Sequence, residues 1–316
     1  LDQSLRFNDG DSPYLNWTPS SAGNRKTWTW SGWVKRGNLG AWQMMFSAGV
    51  DATHRTYLAF DDTDKLKFND YDTSAANFYF TSPGLYRDTG AWYHIVAAVD
   101  TTQGTQSNRV KVYVNGEQVA MVLDAGSQTQ NHTTFVNNNA IHALSRASHS
   151  SAEYFDGYMA EVNFIDGTAV AATSFGETGD YGEWKPRKYV GAYGDEGYFL
   201  DFRSSGVGTA GPTTVGADRS GNTNHFTSDN VATTDQMIDT PTNNFCTMSP
   251  ISGIGTFSEG NLKVVTTVAG SAPYKQMHYG TISASSGKYY WEVVPTDVSG
   301  VLLLGSSSSQ PSNKNQ

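Results

Sequence analysis

The chain has 316 residues, of which only 16% are charged and 13% are aromatic. This mixture, with 32 glycines and many Ser, Thr and Asn residues, favours β-strands joined by polar loops over helices. The net charge of −9 and the lack of a Lys/Arg cluster argue against nucleic acid as a partner, because binding a polyanion needs clustered basic side chains.

The N-terminal half contains the clearest strand signals. The chain starts at Leu1 without Met and without the basic-then-apolar form of a signal peptide, so we expect further residues upstream. Residues 27–34 alternate, which predicts a strand with Trp28, Trp30 and Val34 on one face and hydroxyl side chains on the other. Residues 92–99 are apolar on both faces, as expected of a strand covered on both sides in a sandwich.

Residues 109–123 predict a β-hairpin. The three valines of residues 110–114 alternate, and the pair Asn115-Gly116 supplies the left-handed residues that a two-residue turn requires. Residues 117–123 then return with Val119, Met121 and Leu123 in phase. We expect these two runs to pair as antiparallel strands.

Shorter strand signals follow. Residues 155–165 and 198–202 read as strands, and residues 218–222 read as an Asx-type turn. No convincing amphipathic helix occurs, and the nearest candidate, residues 169–175, is about one turn long. Many short strands separated by turns predict an all-β fold of the jelly-roll β-sandwich type.

Composition changes near residue 234, which predicts two domains. We expect a sandwich over residues 1–233, a linker over 234–257, and an incomplete second β-sandwich over 258–316 with strands at 262–265, 287–293 and 300–304. The single cysteine, Cys246, excludes an intrachain disulfide and a multi-cysteine zinc site. The longest apolar run, residues 301–304, is far too short to cross a membrane.

Three blocks of sequence resemble a known family. Residues 92–96, 110–116 and 155–162 are similar in order and spacing to the central strands of laminin-G-like, concanavalin-like domains, and this resemblance covers about residues 1–230. Residues 287–293 resemble the opening strands of a SPRY domain. The combination is similar to structural proteins of marine, cyanophage-like phages, which implies a tail fibre, a receptor-binding protein or a capsid decoration.

Catalysis has little support in the sequence. Glucanases with the concanavalin fold use two carboxylates on one strand, and neither residues 153–156 nor residues 161–166 match that pattern. We interpret Glu161 as a carboxylate that ties a loop to the sandwich. We interpret His94 as a core histidine with one hydrogen bond, since no nucleophile elbow occurs in the sequence.

The resemblance implies a calcium site at the rim of the sandwich. Laminin-G-like domains often hold one Ca²⁺ through Asp, Asn and carbonyl oxygens, which are ligands that suit a hard cation. Asp61 and Asp62 lie in an Asp-rich loop, and Asp100 and Asp166 end predicted strands. We expect either no cofactor, with these residues as solvated turn carboxylates, or one structural Ca²⁺ at these four residues.

Loop aromatics near the middle of the first domain are candidates for sugar binding. A carbohydrate site combines an aromatic platform with planar polar groups. The platform candidates are Trp42, Tyr57 and Tyr71, with Phe78 and Tyr79 nearby, and the hydrogen-bonding candidates are Asn69, Asp70 and Asn77.

The sequence therefore predicts a non-catalytic virion surface protein that binds a host cell-surface glycan. Its expected partners are other virion proteins and further copies of itself, as a trimer if it is a fibre. The alternatives are a secreted bacterial lectin and, with less support, a concanavalin-fold glycoside hydrolase.

Overall fold

The structure is a computed structural model that describes residues 1–73, 75–251, 255–265, 278–296 and 305. The chain divides into two units, Leu1–Ile282 and Ser283–Gln316. In the first unit two large antiparallel sheets pack face to face, which confirms the predicted all-β jelly-roll sandwich. Strands are numbered in chain order.

The first sheet has the strand order β10-β9-β8-β3-β13-β1-β18, and β16 also pairs with β13. Its strands are β1 Ser4–Phe7, β3 Thr27–Arg36, β8 Trp92–Asp100, β9 Val110–Val114, β10 Glu117–Val119, β13 Gly157–Asp166, β16 Tyr198–Leu200 and β18 Gln236–Met237.

The second sheet has the strand order β11-β7-β6-β5-β4-β12-β2-β17. Its strands are β2 Tyr14–Trp17, β4 Gln43–Asp51, β5 His54–Phe60, β6 Lys65–Asp72, β7 Ala75–Leu85, β11 Val122–Gly126, β12 His142–Leu144 and β17 Thr227–Asp229.

Short elements complete the described structure. Two small hairpins pair β14 Gly176–Thr178 with β15 Trp184–Pro186, and β19 Thr256–Ser258 with β20 Lys263–Val265. The helical segments in the described residues are the 3-10 turns Asp9–Asp11, Gln106–Asn108, Ala172–Ser174 and Thr233–Asp235. None of these helices is long and apolar enough to span a bilayer.

Large aromatic side chains join the two sheets. Trp30 of β3 stacks on Phe46 of β4 with ring centroids 5.9 Å apart, and Trp28 meets Phe68 of β6 edge to face at 6.0 Å. All four are almost fully buried, and burying such a side chain stabilises the fold by roughly 2–3 kcal/mol. The predicted inward face of residues 27–34 is thereby confirmed.

The outer face of the first sheet is covered as well. Trp33 and Trp92 form a second apolar cluster against which Trp184 of the β14–β15 hairpin packs. This second layer explains why residues 92–99 are apolar on both faces.

The predicted hairpin is confirmed only in its first part. β9 and β10 pair, and the turn uses the positive φ angles of Asn115 (49°) and Gly116 (87°). The chain then crosses to the other sheet, where β11 pairs with β7. Residues 117–123 therefore belong to two strands in different sheets. The sequence predicts a single strand here because the alternation of apolar residues continues through the crossing at Ala120 and Met121.

The segment 234–257, which the sequence predicts as a linker, contacts the sandwich. β18 pairs with β1, and Asp239 accepts a hydrogen bond of 2.8 Å from the buried ammonium of Lys35. Asn244 Oδ1 and the carbonyl oxygen of Phe245 accept the other two ammonium bonds, also at 2.8 Å. The division of the chain into two domains and a linker stays a prediction.

In the second unit the described residues 283–296 contain no strand, including residues 287–293, where the sequence predicts one. The strand predicted at 300–304 lies outside the described residues. The strand predicted at 262–265 is present in the first unit as β20.

Candidate functional site

Alternation along β5 and β6 places a row of tyrosines on the outer face of the second sheet. Tyr57 of β5 pairs in register with Asn69 of β6, and Arg55 pairs with Tyr71. Successive strand residues point to opposite faces, so these four side chains share the face opposite the core. We call this surface the tyrosine face and define it by Trp42, Arg55, Tyr57, Asn69, Tyr71 and Tyr79.

The rings of the tyrosine face contact one another. Tyr57 and Tyr71 stack with centroids 6.4 Å apart and an interplanar angle of 12°. Trp42 meets Tyr57 edge to face at 6.5 Å, and Tyr79 meets Tyr71 edge to face at 6.1 Å. Tyr57 is only 3% exposed, whereas Trp42, Tyr71 and Tyr79 are partly exposed. A ligand therefore meets these three rings, and Tyr57 supports them from below.

Two cations lie over the rings. The guanidinium of Arg55 is 4.9 Å from the Tyr57 centroid and 5.7 Å from the Tyr71 centroid, and the ammonium of Lys67 is 5.1 Å from the Tyr79 centroid. Burial raises the pKa of Tyr71, and the Arg55 charge opposes this rise. The face thus presents aromatic rings and hydrogen-bond donors side by side.

Asn69 is not free to bind a ligand. Its Nδ2 donates to the hydroxyl oxygen of Tyr57 at 2.6 Å, and its Oδ1 accepts from the Phe80 amide at 3.0 Å. The side chain is fully buried. Asn69 therefore positions Tyr57 instead of supplying a hydrogen bond to a sugar.

Asp70 and Asn77 lie away from the tyrosine face. Asp70 follows Asn69 on β6 and so points to the core side, where His132 Nε2 contacts its Oδ2 at 2.6 Å and Thr56 donates to its Oδ1. Asn77 Nδ2 donates to the same Oδ2 at 3.1 Å. These residues anchor the loop around His132 and take no part in the tyrosine face.

The loop of residues 145–154, the rim loop, packs against the tyrosine face. The carbonyl oxygen of Arg146 accepts a hydrogen bond of 2.8 Å from Ser47, and that of Glu153 accepts one of 2.8 Å from the Met44 amide. Arg55 Nη1 donates to His149 Nε2 at 3.2 Å. Sequence reasoning missed this loop because Ser, His and Arg in a loop form no recognisable motif.

Part of the unmet hydrogen-bonding capacity of the fold lies at this rim. Five buried polar atoms of the rim loop and the neighbouring strand have no partner: Arg55 Nε, Arg146 Nε, Ser148 Oγ, His149 Nδ1 and Glu153 Oε2. Burial, reinforced by the Arg55 charge, lowers the pKa of His149, and burial raises the pKa of Glu153. Buried polar groups are normally paired, so a ligand or water is expected to satisfy these atoms.

The four predicted metal ligands are not brought together. Asp61 and Asp62 lie in the β5–β6 turn of the second sheet, whereas Asp100 and Asp166 end β8 and β13 in the first sheet. Across the described ranges no group of three or more His, Cys, Asp or Glu side chains is placed to hold a metal ion.

Three of these aspartates have protein partners. Asp61 accepts hydrogen bonds from Thr63 and from the Lys65 amide; burial raises its pKa, but these bonds outweigh burial and hold the pKa below its usual range. Asp100 accepts hydrogen bonds from Thr102. Asp166 accepts one of 2.8 Å from the Asn24 amide.

His94 is a buried structural histidine with two hydrogen bonds. Trp184 Nε1 donates to its Nδ1 at 3.0 Å, and its Nε2 lies 2.9 Å from Ser31 Oγ. Its ring lies against Trp33 at 4.7 Å and against Trp184 at 6.0 Å. Burial lowers the pKa of His94 to about 3, so the ring is neutral near pH 7.

Glu161 lies at a bulge of β13 with φ of 49°. Burial, with the nearby Asp201 charge adding to it, raises the pKa of Glu161 to about 7. It lies on the first sheet and takes no part in the tyrosine face.

Residues 9–173 match the model of one protein family, described as the concanavalin A-like lectin/glucanases superfamily. This match spans more than half of the chain. A comparison with curated protein sequences gave no match.

Several solved structures are similar to the chain. A putative carbohydrate binding protein from Bacteroides ovatus has 14% identity and a TM-score of 0.46, over 72% of this chain and 58% of that chain. A SAP-like pentraxin from Limulus polyphemus has 16% identity and a TM-score of 0.39, over 54% and 78%. The Ruminococcus gnavus IT-sialidase CBM40 bound to α2,3-sialyllactose has 13% identity and a TM-score of 0.36, over 49% and 87%.

Proposed function

The chain belongs to the concanavalin A-like lectin/glucanases superfamily, and we propose that it is a non-catalytic protein that binds carbohydrate through the tyrosine face. One observation carries this proposal. Partly exposed rings of Trp42, Tyr71 and Tyr79 adjoin a rim with five buried polar atoms that have no partner. A sugar offers an apolar ring face for the aromatic side chains and hydroxyl groups for the polar atoms.

The unpartnered atoms suit hydroxyl groups because they include both donors and acceptors. The guanidinium nitrogens of Arg55 and Arg146 donate, Glu153 Oε2 accepts while ionised, and Ser148 Oγ does either. A sugar hydroxyl also donates and accepts, so it satisfies either kind of atom. Leaving these atoms unpaired costs free energy, and a ligand that pairs them recovers it.

The rim supports binding over hydrolysis. Glycoside hydrolysis generally uses two carboxyl groups that flank the scissile bond. The rim loop contains one carboxyl group, Glu153, and the residues that define the tyrosine face contain none. We therefore propose that the site recognises a glycan and leaves it intact.

We further propose that the protein acts on the surface of a phage particle, together with other virion proteins, and binds host glycans there as an oligomer. The laminin-G-like blocks at 92–96, 110–116 and 155–162 are combined with a SPRY-like segment at 287–293, and the resemblance of this combination to phage structural proteins supports this location. A partly exposed face binds weakly per copy, and several copies on one particle raise the effective concentration of sites. Detecting the chain by mass spectrometry in purified particles tests this proposal, and its absence from particles that contain other virion proteins contradicts it.

An immobilised glycan screen tests the carbohydrate-binding proposal. We expect the full chain, multimerised on beads, to bind a subset of glycans, and the corresponding free polysaccharide to compete. The Trp42→Ala variant should lose most of this binding, whereas Tyr181→Ala, which removes a 96% exposed tyrosine from the β14–β15 hairpin, should keep it. Equal binding by both variants would contradict the proposal that the tyrosine face is the binding site. The absence of binding to any glycan would contradict the proposal that the protein binds carbohydrate.

A further inference from the structure

A cavity of about 230 Å³ opens at the edge of the sandwich, away from the tyrosine face. It lies where the chain crosses between the edge strands β10 and β11, so it opens between the last strands of the two sheets. Its apolar lining comes from both sheets and includes Phe80, Val112, Val119, Met121 and Leu123. This cavity continues the hydrophobic core outward to the surface.

The lining contains no ionisable side chain. Ten residues of the described part of the chain line the cavity. Among these ten, only Ser107, Gln118 and Gln128 have polar side chains. A charged ligand would lose its hydration here without gaining a partner. The chemistry therefore fits a neutral molecule with an apolar body.

Gln128 supplies an unused acceptor at this cavity. The residue is 9% exposed and its Oε1 has no hydrogen-bond partner. Its backbone is fixed on both sides, since its amide donates to the carbonyl oxygen of Asn77 at 2.8 Å and its carbonyl oxygen accepts from Arg109 at 2.5 Å. A buried amide oxygen without a partner, on a backbone that is fixed in this way, is an acceptor for a hydroxyl donor.

The size of the cavity limits the ligand. An apolar protein cavity of about 150 Å³ admits benzene. A cavity of about 230 Å³ therefore admits a substituted benzene ring or an alkyl chain of similar bulk. We propose that this edge cavity binds a small neutral molecule with an apolar body and one hydroxyl group, which donates to Gln128 Oε1.

Two probes that differ only in the hydroxyl group test this proposal, namely p-cresol and toluene. We expect p-cresol to bind the full chain saturably and to shift the backbone amide resonances of residues 119–123 and 128 in ¹⁵N-resolved NMR spectra. Toluene should shift the same resonances with weaker affinity, because it lacks the donor.

Variants separate the two features of the cavity. Gln128→Leu should weaken p-cresol binding about fivefold and leave toluene binding unchanged, since it removes only the acceptor. Ala120→Trp, at an exposed lining position, should block both probes without disturbing the core. Gln130→Leu is the matched control, since Gln130 is exposed and bonds to Thr102 instead, and it should bind both probes as the wild type does.

Three outcomes overturn the proposal. These are the absence of saturable binding of p-cresol, shifts that map elsewhere on the fold, and p-cresol affinity unchanged in Gln128→Leu. None of these outcomes bears on glycan binding, because the tyrosine face lies on the outside of the second sheet and the cavity lies between the sheets.

Discussion

Asn69 Nδ2 donates a hydrogen bond of 2.6 Å to the hydroxyl oxygen of Tyr57, while Asn69 Oδ1 accepts one of 3.0 Å from the Phe80 amide. One buried side chain thus joins the aromatic support of the tyrosine face to β7. Although it contacts no exposed surface, Asn69 connects the stability of the sheet with the geometry of the site.

Replacing Asn69 should therefore affect both properties. Asn69→Ala leaves the Phe80 amide and the Tyr57 hydroxyl without their present partner, and we expect a loss of about 1–3 kcal/mol in the free energy of unfolding. Glycan affinity should fall as well, because Tyr57 loses its orientation. Urea denaturation and glycan titration measure the two effects. A variant with wild-type stability would show that this bond contributes nothing to the sheet.

The ion pair between Lys35 and Asp239 should be essential for stability. Both side chains are at most 4% exposed, and Trp92 Nε1 also donates to Asp239 at 3.0 Å. Burial lowers the pKa of Lys35, and the Asp239 charge opposes this shift. Asp239→Ala leaves a buried cation with no carboxylate, so we expect a loss of roughly 3–5 kcal/mol in the free energy of unfolding.

The exposed pair of Arg203 and Asp2 provides the control for this variant. Asp2→Ala should change stability by less than about 1 kcal/mol, because surface ion pairs contribute little. Equal effects of the two alanine variants in urea denaturation would contradict a structural role for the segment around Asp239.

Asp156 should make stability depend on pH. The residue is 2% exposed, and burial, with the Asp9 charge adding to it, raises the pKa of its carboxyl group from 3.8 to about 8. The folded state holds a proton that the unfolded chain releases, so this group lowers stability as pH rises from about 4 to 8. Asp156→Asn removes this pH dependence. As pH rises, the free energy of unfolding of the variant should therefore increase relative to that of the wild type, by at most about 1.4 kcal/mol per pH unit.

Urea denaturation at pH 5 and pH 8 measures this difference for Asp156→Asn. The exposed Asp62→Asn variant is the control and should follow the wild type at both pH values. If the difference in free energy of unfolding between Asp156→Asn and the wild type is the same at both pH values, Asp156 is ionised in the fold and the prediction is wrong.

Two buried histidines should remain neutral in mildly acidic solution. Burial lowers the pKa of His94 to about 3 and that of His142 to about 4. The nitrogens that would take up the proton already accept hydrogen bonds, from Trp184 Nε1 at 3.0 Å and from the Asn137 amide at 2.8 Å. The unfolded chain takes up protons near pH 6.5, so the stability that these rings contribute is present above pH 6.5 and is lost toward pH 4 and below.

Imidazole resonances followed by NMR from pH 8 to pH 5 test this prediction for His94 and His142. We expect neither ring to titrate in that range. A midpoint near 6.5 for either ring would show that it is solvated.

Alternation along the sequence was enough to predict β3, because burial on a sheet repeats every two residues. It did not predict β4, β5, β6 or the 11-residue β7, so Tyr57 and Tyr71, expected in loops, lie in strands. It was not enough to place the site, since Asn69, Asp70 and Tyr71 are adjacent in sequence but Asp70 faces the core. The partners of Lys35 lie more than 200 positions away, so no local pattern predicts them. The unpartnered atoms of the rim loop are visible only once the loop is folded.

The most direct measurement is calorimetric titration of a glycan, chosen by the screen, against the wild type, Tyr71→Ala and Tyr181→Ala. Tyr71 stacks on Tyr57 within the tyrosine face, whereas Tyr181 is 96% exposed on a separate hairpin. We predict that Tyr71→Ala weakens binding by about tenfold or more, equivalent to about 1.4 kcal/mol, and that Tyr181→Ala leaves the affinity unchanged. Wild-type affinity in Tyr71→Ala would contradict carbohydrate binding at the tyrosine face.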